Sequence, residues 1–247
     1  MARINLRYCT IKLQDGLAGT ALVNQSMTAP MAGDITLTVD TISLNTDTTT
    51  LIPVGARFTI AGETASTTVH TVQTRTPSSM APTTSITFSP ALSAGTYVDD
   101  GVLTFLPQLL TIKVGEGDLK YTENPTYQYF LDRGILDTVR LGDDTPMNVD
   151  LNFVFEHITT GTNETIAPMD ALKRMGSASE WVSSATDKCE PYSVDLIVEQ
   201  DPPCGTNQKD IFTFPDFRAD KREASFKDAN IAISGRCMSI EPIVTRA

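Results

Sequence analysis

Cationic side chains are scarce in this 247-residue chain: 19 Lys and Arg against 30 Asp and Glu leave a formal charge of −11. A general phosphate-binding surface is built from Lys and Arg, so this balance disfavours tight nucleic-acid binding. There are two histidines and four cysteines. Cys9, Cys189, Cys204 and Cys237 lack the close C-x-x-C spacing of a zinc site, and two His residues give a mixed Cys/His cage little to draw on. Free thiols are expected. A Cys189–Cys204 disulfide is geometrically disfavoured, because "YSVDLIVEQ" (192–200) reads as one extended strand between them. Such a strand spans roughly 30 Å, whereas a disulfide needs Cα atoms within about 7 Å.

Long apolar runs are also missing. No stretch approaches the roughly 18 consecutive apolar residues of a membrane helix, and "MARINLRYCTIKL" alternates where a signal peptide has an unbroken apolar core. The expectation is a soluble protein made in a cytoplasm. Catalytic signatures are equally absent: there is no G-x-S-x-G, H-E-x-x-H, P-loop or G-x-G-x-x-G pattern. The glycines of "KVGEGDLK" (113–120) fall between two strand-like runs and predict a hairpin turn. Glu156 and His157 are neighbours on a predicted strand, so they face opposite sides and cannot share one proton. His157 and His70 read as structural or surface residues.

What is present is period-two alternation. Ile4, Leu6 and Tyr8 share one face and Cys9, Ile11 and Leu13 the next, a phase slip that predicts a bulge. From about Gly33 to Phe105 the chain turns to Thr, Ser, Ala and Gly with few charges, and short strand-like runs recur between turn-formers. The predicted organisation is a core domain of residues 1–31 and 107–247 with an inserted small all-β module at 32–106. Because the flanking strands read as self-sufficient, excising 33–105 should leave a folded core. One helix is predicted in 165–184, with Pro168 in its first turn and Met169, Leu172 and Met175 on one face. The fold class is mainly β: a sandwich or barrel with one flanking helix.

The most charged segment is "YFLDRGILDTVRLGDDTPM" (129–147), where Asp132, Arg133, Asp137, Arg140, Asp143 and Asp144 alternate in sign around two glycines. The order of an EF-hand loop is absent, and an Arg-balanced loop opposes the split pKa values that acid–base catalysis needs. The segment is read as a mixed-charge loop that sets registry between subunits. No catalytic, metal or cofactor-binding residue is assigned.

The order of several blocks carries a resemblance. "IKVGEGDLKYTENPTYQYFLDRGILDTVRLGDDTPMNVDLNFVFEHI", then "KCEPYSVDLIVEQDPPCG", "FTFPDFR" and "IAISGRC" together resemble the major tail, or tail-tube, proteins of long-tailed bacteriophages over residues 107–247 and the first strand. The Thr-rich segment is similar to small β-modules found within phage structural proteins. The resemblance implies a β-sandwich or barrel assembling as hexameric rings that stack into a hollow tube for genome passage. It also implies a place in the virion tail after assembly in the bacterial cytoplasm. The implied partners are further copies of the chain and other tail proteins: tape measure, tail terminator or a sheath. DNA is a partner only in transit, no membrane is involved, and the added module is expected on the outer surface.

If six copies close into a ring, a sheet must line the hole. In "VDLNFVFE" the apolar face is Val149, Leu151, Phe153 and Phe155, turning Asp150 and Glu156 outward; in "YSVDLIVEQ" it is Tyr192, Val194, Leu196 and Val198, turning out Asp195 and Glu199. Asp150, Glu156, Asp195 and Glu199 are therefore the channel-facing candidates, against the plain reading of a solvated sheet face. The alternatives from other classes are a monomeric adhesin-like β binding module and another phage head or tail structural protein.

Overall fold

The computed structural model describes residues 9–24, 30–46, 52–65, 67–77, 84–112, 118–133, 135–154, 159–160, 163–164, 166–187, 189–200, 209–225 and 230–246. The chain is mainly β, with one short α-helix among the described residues. It divides into two compact units, one drawn from residues 1–14, 110–177 and 184–247, the other from 15–109 and 178–183.

After β1 (Cys9–Gln14) the chain enters the second unit, where β2 (Gly19–Val23), β3 (Thr36–Leu44), β4 (Arg57–Ile60), β5 (His70–Pro77), β6 (Thr84–Ser89) and β7 (Val102–Leu106) close into a barrel in the order β2-β3-β6-β5-β4-β7. Alternation explains the closure. Leu37 and Val39, Phe58 and Ile60, Ile86 and Phe88, and Leu103 and Phe105 all turn inward and are buried. The alternating Thr residues can then form polar contacts outside, as where the Thr74 and Thr87 hydroxyls meet at 2.6 Å.

This barrel uses more chain than 32–106. It takes in β2, Leu17 and the buried Asp15, whose carboxylate accepts from the backbone N–H of Gln108 (2.6 Å), Leu17 and Val182 (both 3.3 Å). It also takes in Ala178–Ser183 from far downstream. Trp181 is 1% exposed, Val182 belongs to the barrel core, and Glu180 accepts a two-pronged contact from Arg75 (2.6 and 2.8 Å) and the N–H of Val54. The helix expected over 165–184 is correspondingly cut short. α1 spans Pro168–Lys173, ended by Arg174 in the left-handed region (φ 51), and the chain beyond it supplies Val182 to the barrel core.

The other unit continues through β8 (Leu109–Ile112), β9 (Leu119–Thr122), β10 (Tyr127–Asp132), β11 (Ile135–Leu141), β12 (Met147–Val154), β13 (Thr159–Thr160), β14 (Asn163–Glu164), α1, β15 (Val194–Gln200), β16 (Asp210–Ser225), β17 (Asn230–Cys237) and β18 (Ile243–Arg246). Eight of its strands form one sheet in the order β8-β1-β15-β16-β17-β12-β9, with β18 also pairing β16. β8 and β9 stand at opposite ends of that order, so they do not make the hairpin expected across "KVGEGDLK"; residues 113–117 lie outside the described ones. The predicted alternation holds where it is described. Val149, Leu151 and Phe153 are fully buried, as are Ile11 and Leu13, while Val194, Leu196 and Val198 are buried and Tyr192 half-buried. Phe155 and the expected phase slip before Cys9 fall outside the described residues.

Sixteen-residue β16 changes register against both neighbours, near Asp216 (φ 51) and between Ala219 and Lys221. Gly235 on β17 lies against that bend: a Cβ there would sit 2.2 Å from the carbonyl oxygen of Arg218 and 2.6 Å from the Phe217 ring. Only glycine lets the two strands approach this closely.

Candidate functional site

The segment expected to be a mixed-charge loop is instead largely a two-stranded ribbon. β10 and β11 pair antiparallel with each other and with no other strand among the described residues. The sequence explains this: Tyr, Phe, Leu, Ile and Val favour extended chain, and Arg133 turns the chain after Asp132 at φ 51. At its base Gly142 N–H donates to the Thr126 carbonyl (2.8 Å), and the Thr126 hydroxyl donates to the Asp143 carbonyl.

Every described strand residue of the ribbon is exposed. That includes eight large apolar side chains between Tyr127 and Leu141, each at least 44% exposed and Ile135 reaching 74%. Directly opposed residues share a face, so the register puts Tyr127, Tyr129, Val139 and Leu141 on one side. The register shift between Phe130 and Leu131 falls on β11 while β10 alternates without a break, so the opposed pair Leu131 and Leu136 joins that side and Phe130 and Ile135 lie on the other. One face is therefore apolar, and the other sets Phe130 and Ile135 among polar and charged residues. The charges are interspersed: Arg140 lies over the Phe130 ring at 5.2 Å, and among the described residues Asp132, Arg133, Asp137, Arg140, Asp143 and Asp144 form no ion pair within the chain. Asp143 and Asp144 sit beyond the ribbon's end, lining a hollow with Glu123, Glu241, Leu141 and Ile240.

The channel-facing candidates separate. Asp150 is exposed on β12, directly between Lys120 of β9 and Ser234 of β17, with Lys221 of β16 opposite Ser234 in turn. That row of the sheet is thus mixed in charge. Glu199 is held 2.6 Å from Lys12 of the neighbouring strand β1. Asp195 is partly withdrawn from solvent, and its carboxylate accepts the N–H of Asp216 at 2.9 Å across the β15–β16 irregularity. Asp216 in turn accepts from the hydroxyls of Ser184 (2.7 Å) and Ser193 (3.1 Å). Burial pushes the Asp195 carboxyl up and the Asp216 charge adds to this, against the opposing hydrogen bonds from the Asp216 N–H and Ser184. Burial, helped by the charges of Asp195 and Asp216, pushes the Cys237 thiol up to about 12. Glu156 and His157 lie outside the described residues.

Sequence reasoning missed one buried polar pair. His70, fully buried in the barrel against Phe58 and Phe88, meets the Pro90 carbonyl at 2.8 Å and the Glu63 carboxylate at 3.1 Å. Burial pushes Glu63 up, but the backbone N–H and hydroxyl of Ser93 and the His70 ring outweigh it and bring its carboxyl below the ordinary range. Glu63 sits seven residues before His70 on a turn, a spacing with no periodic signal. Cys189 and Cys237 are free thiols, and Cys204 lies outside the described residues. No group of three or more His, Cys, Asp or Glu among the described residues is placed to hold a metal ion. Comparison with family models, curated proteins and solved structures found no match to this chain.

Proposed function

We propose that this chain is a self-assembling structural protein, a tail-tube subunit of a long-tailed phage whose copies build stacked hexameric rings, rather than an enzyme. The observation that carries the self-assembly is the β10–β11 ribbon, exposed on both faces with six of its eight large apolar side chains gathered on one of them. An isolated two-stranded hairpin is marginal in water, and a concentration of exposed apolar side chains marks an interaction surface. The further step to a tail tube rests on the order of sequence blocks over 107–247. In this reading the six charged residues at and beyond the ribbon's turn set registry between copies, and the exposed Asp150 face is the candidate lining of the channel. The negative charge of the whole chain supports passage of DNA without adhesion.

Sedimentation and negative-stain images of the purified chain test this. Rings or tubes that dissociate when Leu131 and Ile135 are both replaced by Ser are expected. A clean monomer at high concentration would overturn the reading and favour the binding-module alternative.

A further inference from the structure

The ribbon needs a receiving surface, and its own copy does not supply one, since all its described strand residues are exposed. At roughly 100 Å² of exposed area for each large side chain, its eight offer about 800 Å², the share one partner gives to a standard interface. Outside the ribbon, this unit exposes six large hydrophobics among the described residues, and four of them fall in one stretch: Met238 (62%), Ile240, Ile243 (54%) and Val244. That stretch runs into β18, which pairs β16 along Asp210–Thr213 and has no strand on its other edge among the described residues. An apolar patch beside an open strand edge offers both contacts a ribbon can use: side-chain burial and backbone pairing.

We propose that the β10–β11 ribbon of one copy docks on the Met238–Val244 stretch and the free edge of β18 of a second copy, a partner assignment that rests on the self-assembly reading above. Ribbon-to-ribbon pairing is the rival, but it leaves the 238–244 patch in water, whereas the unequal contact covers both surfaces. A contact between two different patches is head-to-tail. Unless two copies reciprocate it, it propagates into a ring or filament.

The test places the photo-crosslinker benzoylphenylalanine at position 131 of the full chain. Labelled and unlabelled chains are mixed before assembly and irradiation, so that crosslinks between copies are identified by mass. Crosslinks from position 131 to residues 238–246 of another copy are expected. Replacing Val244 with Glu should remove them and raise the concentration needed for assembly by tenfold or more. Crosslinks confined to another ribbon, or assembly by Val244→Glu at the original concentration, would overturn the docking while leaving self-assembly intact. A chain that never assembles would overturn the reading beneath both.

Discussion

The six barrel strands pair around a closed circuit, whereas among the described residues the other unit ends its sheet on β8 and β9, leaves one side of β18 unpaired and carries a two-stranded ribbon exposed on both faces. Closure removes the hazard of open edges; an open edge that persists beside exposed apolar side chains is a place where another chain can add. The same alternating pattern thus stabilises one unit internally and leaves the other with surface still to bury. Disruptive changes should act accordingly, on stability in the barrel and on association in the ribbon.

The largest effect on stability should come from Trp181→Ala. Trp181 is 1% exposed in a segment that joins the barrel from 70 residues beyond its last strand, roughly counted along the chain. Truncating a buried aromatic of this size costs about 3–5 kcal/mol, which denaturant unfolding of the full chain will read. For the same reason, excising 33–105 should yield an aggregating chain, because Leu17, β2 and Val182 lose the core they pack in. A folded, soluble deletion product would show that the barrel's two outlying segments are dispensable.

The ribbon should respond the other way. Reversing Arg133 and Arg140 to Glu removes the cation at its turn and the one near its base, which lies over Phe130. Surface changes of this kind alter stability by no more than about 0.5 kcal/mol. Assembly, read by sedimentation, should nevertheless be lost, because like charges brought together at a contact oppose docking. If the double variant unfolds instead, the ribbon belongs to the folding unit as the barrel strands do.

Acid separates the barrel's buried pair from both. Glu63 has a depressed carboxyl, so its contribution to stability is present above the ordinary glutamate range and is lost as pH falls through the depressed folded value. Glu63→Gln removes the titrating group. The wild-type barrel should therefore lose stability in acid more steeply than the variant, and parallel acid limbs would deny the pair that role.

Much of the sheet core was legible because alternation is a local signal: Val149, Leu151 and Phe153, or Leu196 and Val198, are fixed by period two alone. Partner choice is not local. The recruitment of β2 and Ala178–Ser183 into the barrel, and the separation of β8 from β9, depend on contacts between residues distant along the chain. The ribbon shows the opposite failure. Its charges stood out in the sequence, but Tyr129, Leu131 and Ile135 are composed like core residues, and only the fold shows that nothing among the described residues covers them.

The smallest effect distinguishes two carboxylates that alternation placed together. Asp195 is partly withdrawn from solvent and its carboxyl is raised, so the folded chain favours the protonated form. Its contribution is fully present below the ordinary aspartate range and is lost as pH rises through the raised folded value. Asp195→Asn keeps an oxygen to accept the Asp216 N–H and removes the ionisation, so the variant should melt slightly higher than wild type at neutral pH. Asp150 is exposed beside Lys120, and Asp150→Asn should leave the melting temperature unchanged or lower it slightly through the lost cross-strand attraction. Thermal melts of the two variants side by side at neutral pH give the sign of each shift. An Asp195→Asn chain that melts lower than Asp150→Asn would mean that the Asp195 carboxylate is held as an anion by its hydrogen bonds, and that burial is not the dominant influence at that position.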